Sequence, residues 1–313
     1  MEGQQSDRPL VSIGIPAFNT EAYIAATLNS VEQQTYPNIE IIIVDDGSTD
    51  STLAIIKDWA KRSKRRPVII QNPRNFGLTK TCNILLQHVN GKYFQKLDSD
   101  DLILPEKIER QVNIFETQPE DIALVYSAVY LVDEQGKQME EDYYTRIGYQ
   151  PKAITSYYKQ LLQINFIPNP AVLLRTRVAR EVNGYDETLL YEDWDMWLKI
   201  AARYQFFFDT RKTSCYRIRK SSMMMDPANK IKINNTLFTI FQNNIAINRD
   251  CDTLVWEKLK QVVIYSFFLG DEGAGKKMKW YLSKKNDLKV SGYFLLQKLG
   301  LQHPSYYFSK IRK

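Results

Sequence analysis

Histidine and cysteine are scarce in this chain, two and three among 313 residues. The cysteines, Cys82, Cys215 and Cys251, are widely separated and odd in number. That argues against a disulfide framework or a zinc site and fits a reducing compartment. No run of 18 apolar residues occurs, so no membrane-spanning helix is predicted. The first seven residues are polar and lack the apolar core of a secretory signal, so a cytoplasmic location is expected. Internal repeats and low-complexity linkers are missing. So is a Gly-x-Gly-x-x-Gly after an early strand, which disfavours a dinucleotide-dependent dehydrogenase. An excess of one charge is also missing from residues 1–270, which hold 32 basic and 33 acidic groups. Residues 271–313 hold 10 and 3 and account for the net charge of +6. A basic tail suits an anionic partner, a membrane surface or nucleic acid, or is a solvated face. What is plentiful is aromatic surface, 14 Phe, 19 Tyr and 5 Trp, enough to support a core and exclude wholesale disorder.

The first 130 residues alternate strand and helix patterns. Apolar, β-branched runs at 11–15, 39–44 and 68–70 read as strands, as do 93–97 and 122–132. Helical spacing falls between them, with Ser48 and Asp50 as caps for the second helix. Pro105 is placed in the first turn of a helix running to about 117. This rhythm predicts an α/β fold, a mostly parallel sheet with helices on both faces. Residues 135–170 are irregular and rich in Tyr. A short strand at 171–174, a helix at 192–203 and two closing strands at 206–208 and 213–218 follow. From about 231 the pattern is helical.

Ligands of such sheets bind beyond the carboxyl ends of the strands, and two acidic loops fall there. Asp45 and Asp46 follow the second strand; Asp98, Asp100 and Asp101 follow the fourth. Clustered carboxylates repel unless a cation or donors satisfy them. Oxygen-rich sites suit Mg²⁺ or Mn²⁺, although Asp-rich loops also serve as turns and caps. Arg74 to Lys80 leads into a helix and suits a phosphate or nucleotide, or is a surface turn. Glu192 and Asp193 at a helix start are caps or a general base.

Together these segments resemble family 2 glycosyltransferases of the GT-A fold. The resemblance is carried by 11-VSIGIPAFN, 43-IVDDGSTD, 75-NFG, 97-LDSDD and 192-EDWDMW, in matching order and spacing over roughly residues 9–222. It implies a GT-A domain over 1–225, with a nucleotide-sugar half at about 9–132 and an acceptor half at about 133–225. A helical, basic region spans 226–313. It implies that Pro16, Ala17 and Phe18 line a nucleotide base pocket, with Asp46 accepting from the base imide and Asp45 beside it. Arg74 and Asn75 would close over base or ribose, with Asp98 and Ser99 also at the nucleotide. Asp100 and Asp98 would hold Mn²⁺ or Mg²⁺. Asp193, with Glu192 beside it, matches the catalytic base of an inverting, metal-dependent transfer. The donor would be a nucleotide-sugar, UDP-linked by expectation, and the acceptor a glycan or lipid-linked saccharide. The implied setting is polysaccharide biosynthesis at the cell envelope.

One departure concerns the end of that domain. Relatives often carry His two residues after a Tyr-Arg pair; here Arg219 follows Tyr216-Arg217. Arg217, Arg219 and Lys220 are candidate diphosphate contacts or a solvated basic turn. The 270-GDEGAGKK stretch nearly spells a P-loop but lacks its Ser/Thr, and is expected to connect two helices. Nothing resembles a nucleic-acid-reading module. Aromatic-basic helices in the tail can lie on an anionic membrane face, and can equally pack on the catalytic domain or form an oligomer interface. A sugar-phosphate nucleotidyltransferase and a non-catalytic nucleotide-sugar-binding scaffold are the alternatives. The first wants a Gly-rich basic N-terminal loop, which Pro16 to Asn19 is not.

Overall fold

A computed structural model describes residues 8–150 and 154–301. The polar N-terminal heptad and the tail residues His303, Tyr306, Tyr307 and Phe308 lie outside them. The chain forms two compact units, Met1–Arg219 and Lys220–Lys313. The first ends a few residues before the boundary expected near 225.

In the first unit, the apolar β-branched runs become β1 (Val11–Ala17), β2 (Ile39–Asp45) and β3 (Val68–Gln71), followed by β4 (Tyr93–Lys96). They are joined by α1 (Ile24–Glu32), α2 (Thr52–Arg62) and α3 (Leu78–His88). β1 pairs in parallel with both β2 and β4, and β2 with β3. Every β1 residue is buried, as a strand covered on both faces must be. A two-residue β5 (Leu102–Ile103) precedes α4 (Lys107–Thr117). The helix placed at Pro105 begins two residues later, after a turn.

The second half of this unit contains β6 (Ile122–Val132), α5 (Tyr143–Arg146) and α6 (Tyr157–Gln163). After them come β7 (Val172–Arg175), α7 (Thr176–Glu181), α8 (Asp193–Ala201) and β8 (Gln205–Arg217). The expected pair of closing strands is one strand of 13 residues. It pairs in parallel with β6 and shifts register around Ser127 and Ala128, which breaks its alternation into two apparent pieces. The eight strands run β3-β2-β1-β4-β7-β6-β8-β5. β7 and β5 run against their neighbours, so the sheet is mixed and mostly parallel. The irregular tyrosine-rich segment is an aromatic layer. Tyr149 stacks on Phe166 at 4.7 Å and Phe208 on Tyr126 at 4.9 Å.

The second unit holds α9 (Lys230–Asn243), α10 (Asp252–Phe268), α11 (Ala274–Leu282) and α12 (Leu288–Lys298). The near-P-loop is partly the α10–α11 turn and partly the first turn of α11. Its Lys277 is paired with Asp271. No described helix is long and apolar enough to cross a membrane.

Gly14 lets β1 pass beneath α3. A Cβ there would lie 2.9 Å from the Phe94 ring and 3.3 Å from Leu85. Gly14→Val is expected to destabilise the protein by about 1–3 kcal/mol through overpacking, read from urea unfolding.

Candidate active site

β2, β1 and β4 are neighbours in the sheet, so their carboxyl ends bring three loops side by side. Pro16 and Ala17 close β1, and Phe18 beyond them presents a ring that is 40% exposed. The Asp46 N–H donates to the Ala17 carbonyl at 2.8 Å, tying the first loop to the second. Both Asp45 and Asp46 are buried. Asp46 Oδ1 accepts from Asn72 Nδ2 at 2.8 Å and Phe76 N at 2.9 Å, and Oδ2 from Gly77 N at 3.0 Å. Its carboxylate therefore holds the loop that carries Arg74 and Asn75. Asp45 Oδ2 accepts from Ser48 N, while its buried Oδ1 has no partner. Ser48 and Asp50 brace the α2 entry: Ser48 Oγ accepts from Asn19 N, and Asp50 Oδ1 accepts from Thr52 N. Asn75 Oδ1 accepts from Gly77 N just before α3. Arg74 is exposed and lies over the Phe76 ring.

The β4 loop is organised by a residue absent from the sequence expectation. Lys96, the last residue of β4, is buried, and its Nζ donates to Asp98 Oδ1 and Glu192 Oε1, each at 2.5 Å. The paired carboxylates hold its ammonium well above the usual lysine range against the cost of burial. A cation inside an otherwise apolar, covered strand was the available signal. Asp98 Oδ2 accepts from Asn169 Nδ2 at 2.6 Å. Ser99 is buried and accepts from the Thr20 hydroxyl. Asp100 Oδ2 pairs with Arg219 Nε at 2.7 Å. Burial, then Asp98, push the Asp100 carboxyl upward, and Arg219 opposes them. Asp101 is buried and accepts from Arg217 N. Burial and its two acidic neighbours raise it strongly.

The Arg217 guanidinium donates to the carbonyls of Asp100, Asp133 and Glu134. It thus clamps the acidic loop to the end of β6. Arg217 and Arg219 both lie over the Tyr23 ring, at 5.1 and 5.4 Å. Lys220 is exposed and opens the second unit.

Glu192 sits at the N-cap of α8 without a side-chain capping bond, because its carboxylate turns to Lys96. Asp193, partly open, accepts from Trp194 N at 2.6 Å and Asn165 Nδ2 at 3.1 Å. Burial, then the Glu192 charge, push its carboxyl up to about 7. The geometry thus joins Asp98, Lys96, Glu192 and, one residue on, Asp193. A carboxyl poised near neutrality suits proton abstraction.

No described group of three or more His, Cys, Asp or Glu is arranged to hold a metal ion. Asp98 is engaged on both oxygens. Asp100 is engaged by Arg219 through Oδ2. This donor set does not form an all-protein cage. A Mg²⁺ or Mn²⁺ ion here would be held by one carboxylate and completed by substrate phosphates and water.

Residues 12–182 match the model of glycosyl transferase family 2, more than half of the chain. The chain belongs to that family. It is 29% identical to an uncharacterized glycosyltransferase of Methanocaldococcus jannaschii over 274 residues, 85% of this chain and 90% of the relative. It spans less than two thirds of the length of the matching Rickettsia typhi and Haemophilus influenzae relatives. The fold resembles Staphylococcus aureus TarS 1-349 in complex with UDP-GlcNAc. The TM-score is 0.62 at 19% identity, over 91% of this chain and 78% of TarS 1-349. It also resembles the Pyrobaculum calidifontis mannosyltransferase PcManGT in complex with GDP-Man and Mn²⁺. Here the TM-score is 0.62 at 15% identity, over 97% and 84% of the two chains. These likenesses establish the GT-A-like sheet with its helical extension.

Removing the Lys96 charge leaves Glu192 buried and unpaired. Lys96→Met is expected to destabilise the protein by about 3–5 kcal/mol in urea unfolding at neutral pH. Lys96→Arg, which keeps the charge, is expected to lose less.

Proposed function

We propose that this protein transfers a sugar from a nucleoside diphosphate donor to a hydroxyl of a glycan or lipid-linked saccharide. The transfer inverts the anomeric centre and is assisted by a divalent cation. The observation that carries this reading is the Lys96 ammonium. It ties Asp98 of the donor loop to Glu192, next to Asp193, at one end of the sheet. Donor loop and base are thereby held together, as a single displacement requires.

The base of the donor would stack on the exposed Phe18 ring. Its imide N–H would be accepted at the Asp45–Asp46 pair, where Asp45 Oδ1 lacks a partner. That preference favours uracil, so UDP-sugars are the first donors to test. The UDP-GlcNAc held by TarS and the GDP-Man and Mn²⁺ held by PcManGT are also worth testing. Asp193 takes the acceptor proton as the acceptor oxygen bonds to the anomeric carbon. The bond from that carbon to the diphosphate breaks, and the nucleoside diphosphate departs with the electron pair. What a divalent ion at Asp100 supplies, when bound, is neutralisation of the charge growing on that leaving group. Arg219, already at Asp100, is placed to contribute a fixed positive charge to the same diphosphate. One base and one leaving group suffice for inversion, and no second carboxylate on the opposite face is assigned.

Two outcomes test this reading. Calorimetry with a panel of nucleotide-sugars is expected to give binding that needs Mn²⁺ or Mg²⁺, is lost with chelator, and is lost in Asp100→Ala. Binding unaffected by chelator would remove the metal from the mechanism. Silence across the panel from folded protein would remove the donor assignment. For the base, the proton-bound Asp193 carboxyl cannot accept another proton. The rate of transfer is therefore expected to rise with pH through about 7 and then level off. Asp193→Asn is expected to lower kcat by roughly 10²–10⁴-fold with donor binding retained.

A further inference from the structure

Helix α12 is apolar on two opposite sides. Its inner side is built into the second unit: Val290 is fully buried, and Tyr293 packs on Phe267 at 5.2 Å and Phe268 at 5.3 Å. Its outer side carries Leu288, 93% exposed, and Leu295 and Leu299, both more than half exposed. These lie at i, i+7 and i+11, one stripe along the helix and just past its end, with Gly292 in the same line. Leu296 and Leu301 are exposed beside them. A solvated helix face carries polar residues at such positions. This one carries leucine.

The lysines explain the stripe. Lys289 follows Leu288 and Lys298 precedes Leu299, so each lies about 100° round from the stripe, on opposite sides. Both are exposed, and Lys298 lies 4.7 Å from the centroid of the Phe294 ring. Lys284 and Lys285, also exposed, stand in the turn just before. On one flank, a cavity of ≈ 400 Å³ is lined by Ile264, Tyr265 and Phe268 of α10 together with Lys260, Lys289, Gln261 and one carboxylate, Glu257. Lys260 is already paired with Asp287 at 2.6 Å.

We infer that the outer face of α12 is a docking surface for an anionic phospholipid bilayer. The leucines enter the headgroup–acyl boundary, and the flanking lysines reach phosphates on either side. The helix is 11 residues long and lies in the interface plane rather than across it. A second copy of the chain fits less well. A two-fold pairing of this face with itself would gather four lysines around the leucines, with no carboxylate in α12 to pair them. The inference does not depend on the catalytic reading, because it uses none of its residues.

The test is co-sedimentation of the full chain with vesicles of phosphatidylcholine alone, or of phosphatidylcholine mixed with phosphatidylglycerol. Binding is expected to the mixed vesicles at low salt, and to weaken as salt is added. The triple variant Leu288→Ser, Leu295→Ser, Leu299→Ser changes only exposed positions. It is expected to bind those vesicles about tenfold less or worse, with its circular dichroism and urea unfolding unchanged. Lys289→Glu with Lys298→Glu is expected to do the same. The proposal is overturned by absent binding to the mixed vesicles, or by equal binding of the leucine variant. It is also overturned if sedimentation equilibrium finds a dimer that the leucine variant dissolves, since a second copy would then own this face.

Discussion

A lysine ammonium buried at the end of β4 sets the terms for the site. Withdrawing one such charge from water costs several kcal/mol even after relaxation, so Lys96 is tolerable only with carboxylates beside it. It has two, Asp98 from its own loop and Glu192 from 96 positions further along the chain. The pairing does three things at once. It fixes the donor loop at the strand end, and it anchors the start of α8 to the sheet. It also leaves the cluster one negative charge in excess. Asp193 sits next to that excess, and burial together with Glu192 pushes its carboxyl toward neutrality. Burial is the larger cause of that tuning and the Glu192 charge the second, while the Lys96 ammonium works against both.

The second constraint is backbone geometry. Asp46 uses both oxygens to hold Asn72, Phe76 and Gly77. This draws the 72–77 loop against the turn after β2. The approach is close enough that a Cβ on Gly47 would lie 2.6 Å from the Arg74 carbonyl carbon, and Gly47 also has φ +73°. A side chain there is excluded twice, by conformation and by contact. Asp46 thus fixes the 72–77 loop, while the Oδ1 of its neighbour Asp45 has no partner among the described residues.

The parallel half of the sheet was legible because its strands are covered on both faces and so read as unbroken apolar runs. The acidic loops were legible because strand ends in such sheets are where polar residues gather. Legibility failed where the chain departs from simple periods. β8 looked like two strands because its shifts in register interrupt the alternation. Lys96 was passed over because a single cation at a strand end carries no period, and one of its two partners, Glu192, is remote in sequence. Arg217 had a phosphate role as one of its two readings. Its bonds to three carbonyls depend on β8 ending beside the acidic loop, which only the folded sheet reveals. The outward leucines of α12 were hidden for the opposite reason: both of its faces are apolar, so no contrast marked which one lay inside.

Arg219 alters how the acidic loop meets a cation. Asp98, Asp100 and Asp101 place three carboxylates within four residues, and each already has a counterpart: Lys96, Arg219 and the Arg217 N–H. Two of the three carboxylates are thus met by a cation, and the third by a backbone donor. A divalent ion reaching Asp100 meets a guanidinium already paired there, so its net gain is the difference between two pairings. If a diphosphate takes up the displaced guanidinium, that difference is restored. Cation and diphosphate then favour one another at this loop by mutual linkage, each binding more tightly when the other is present.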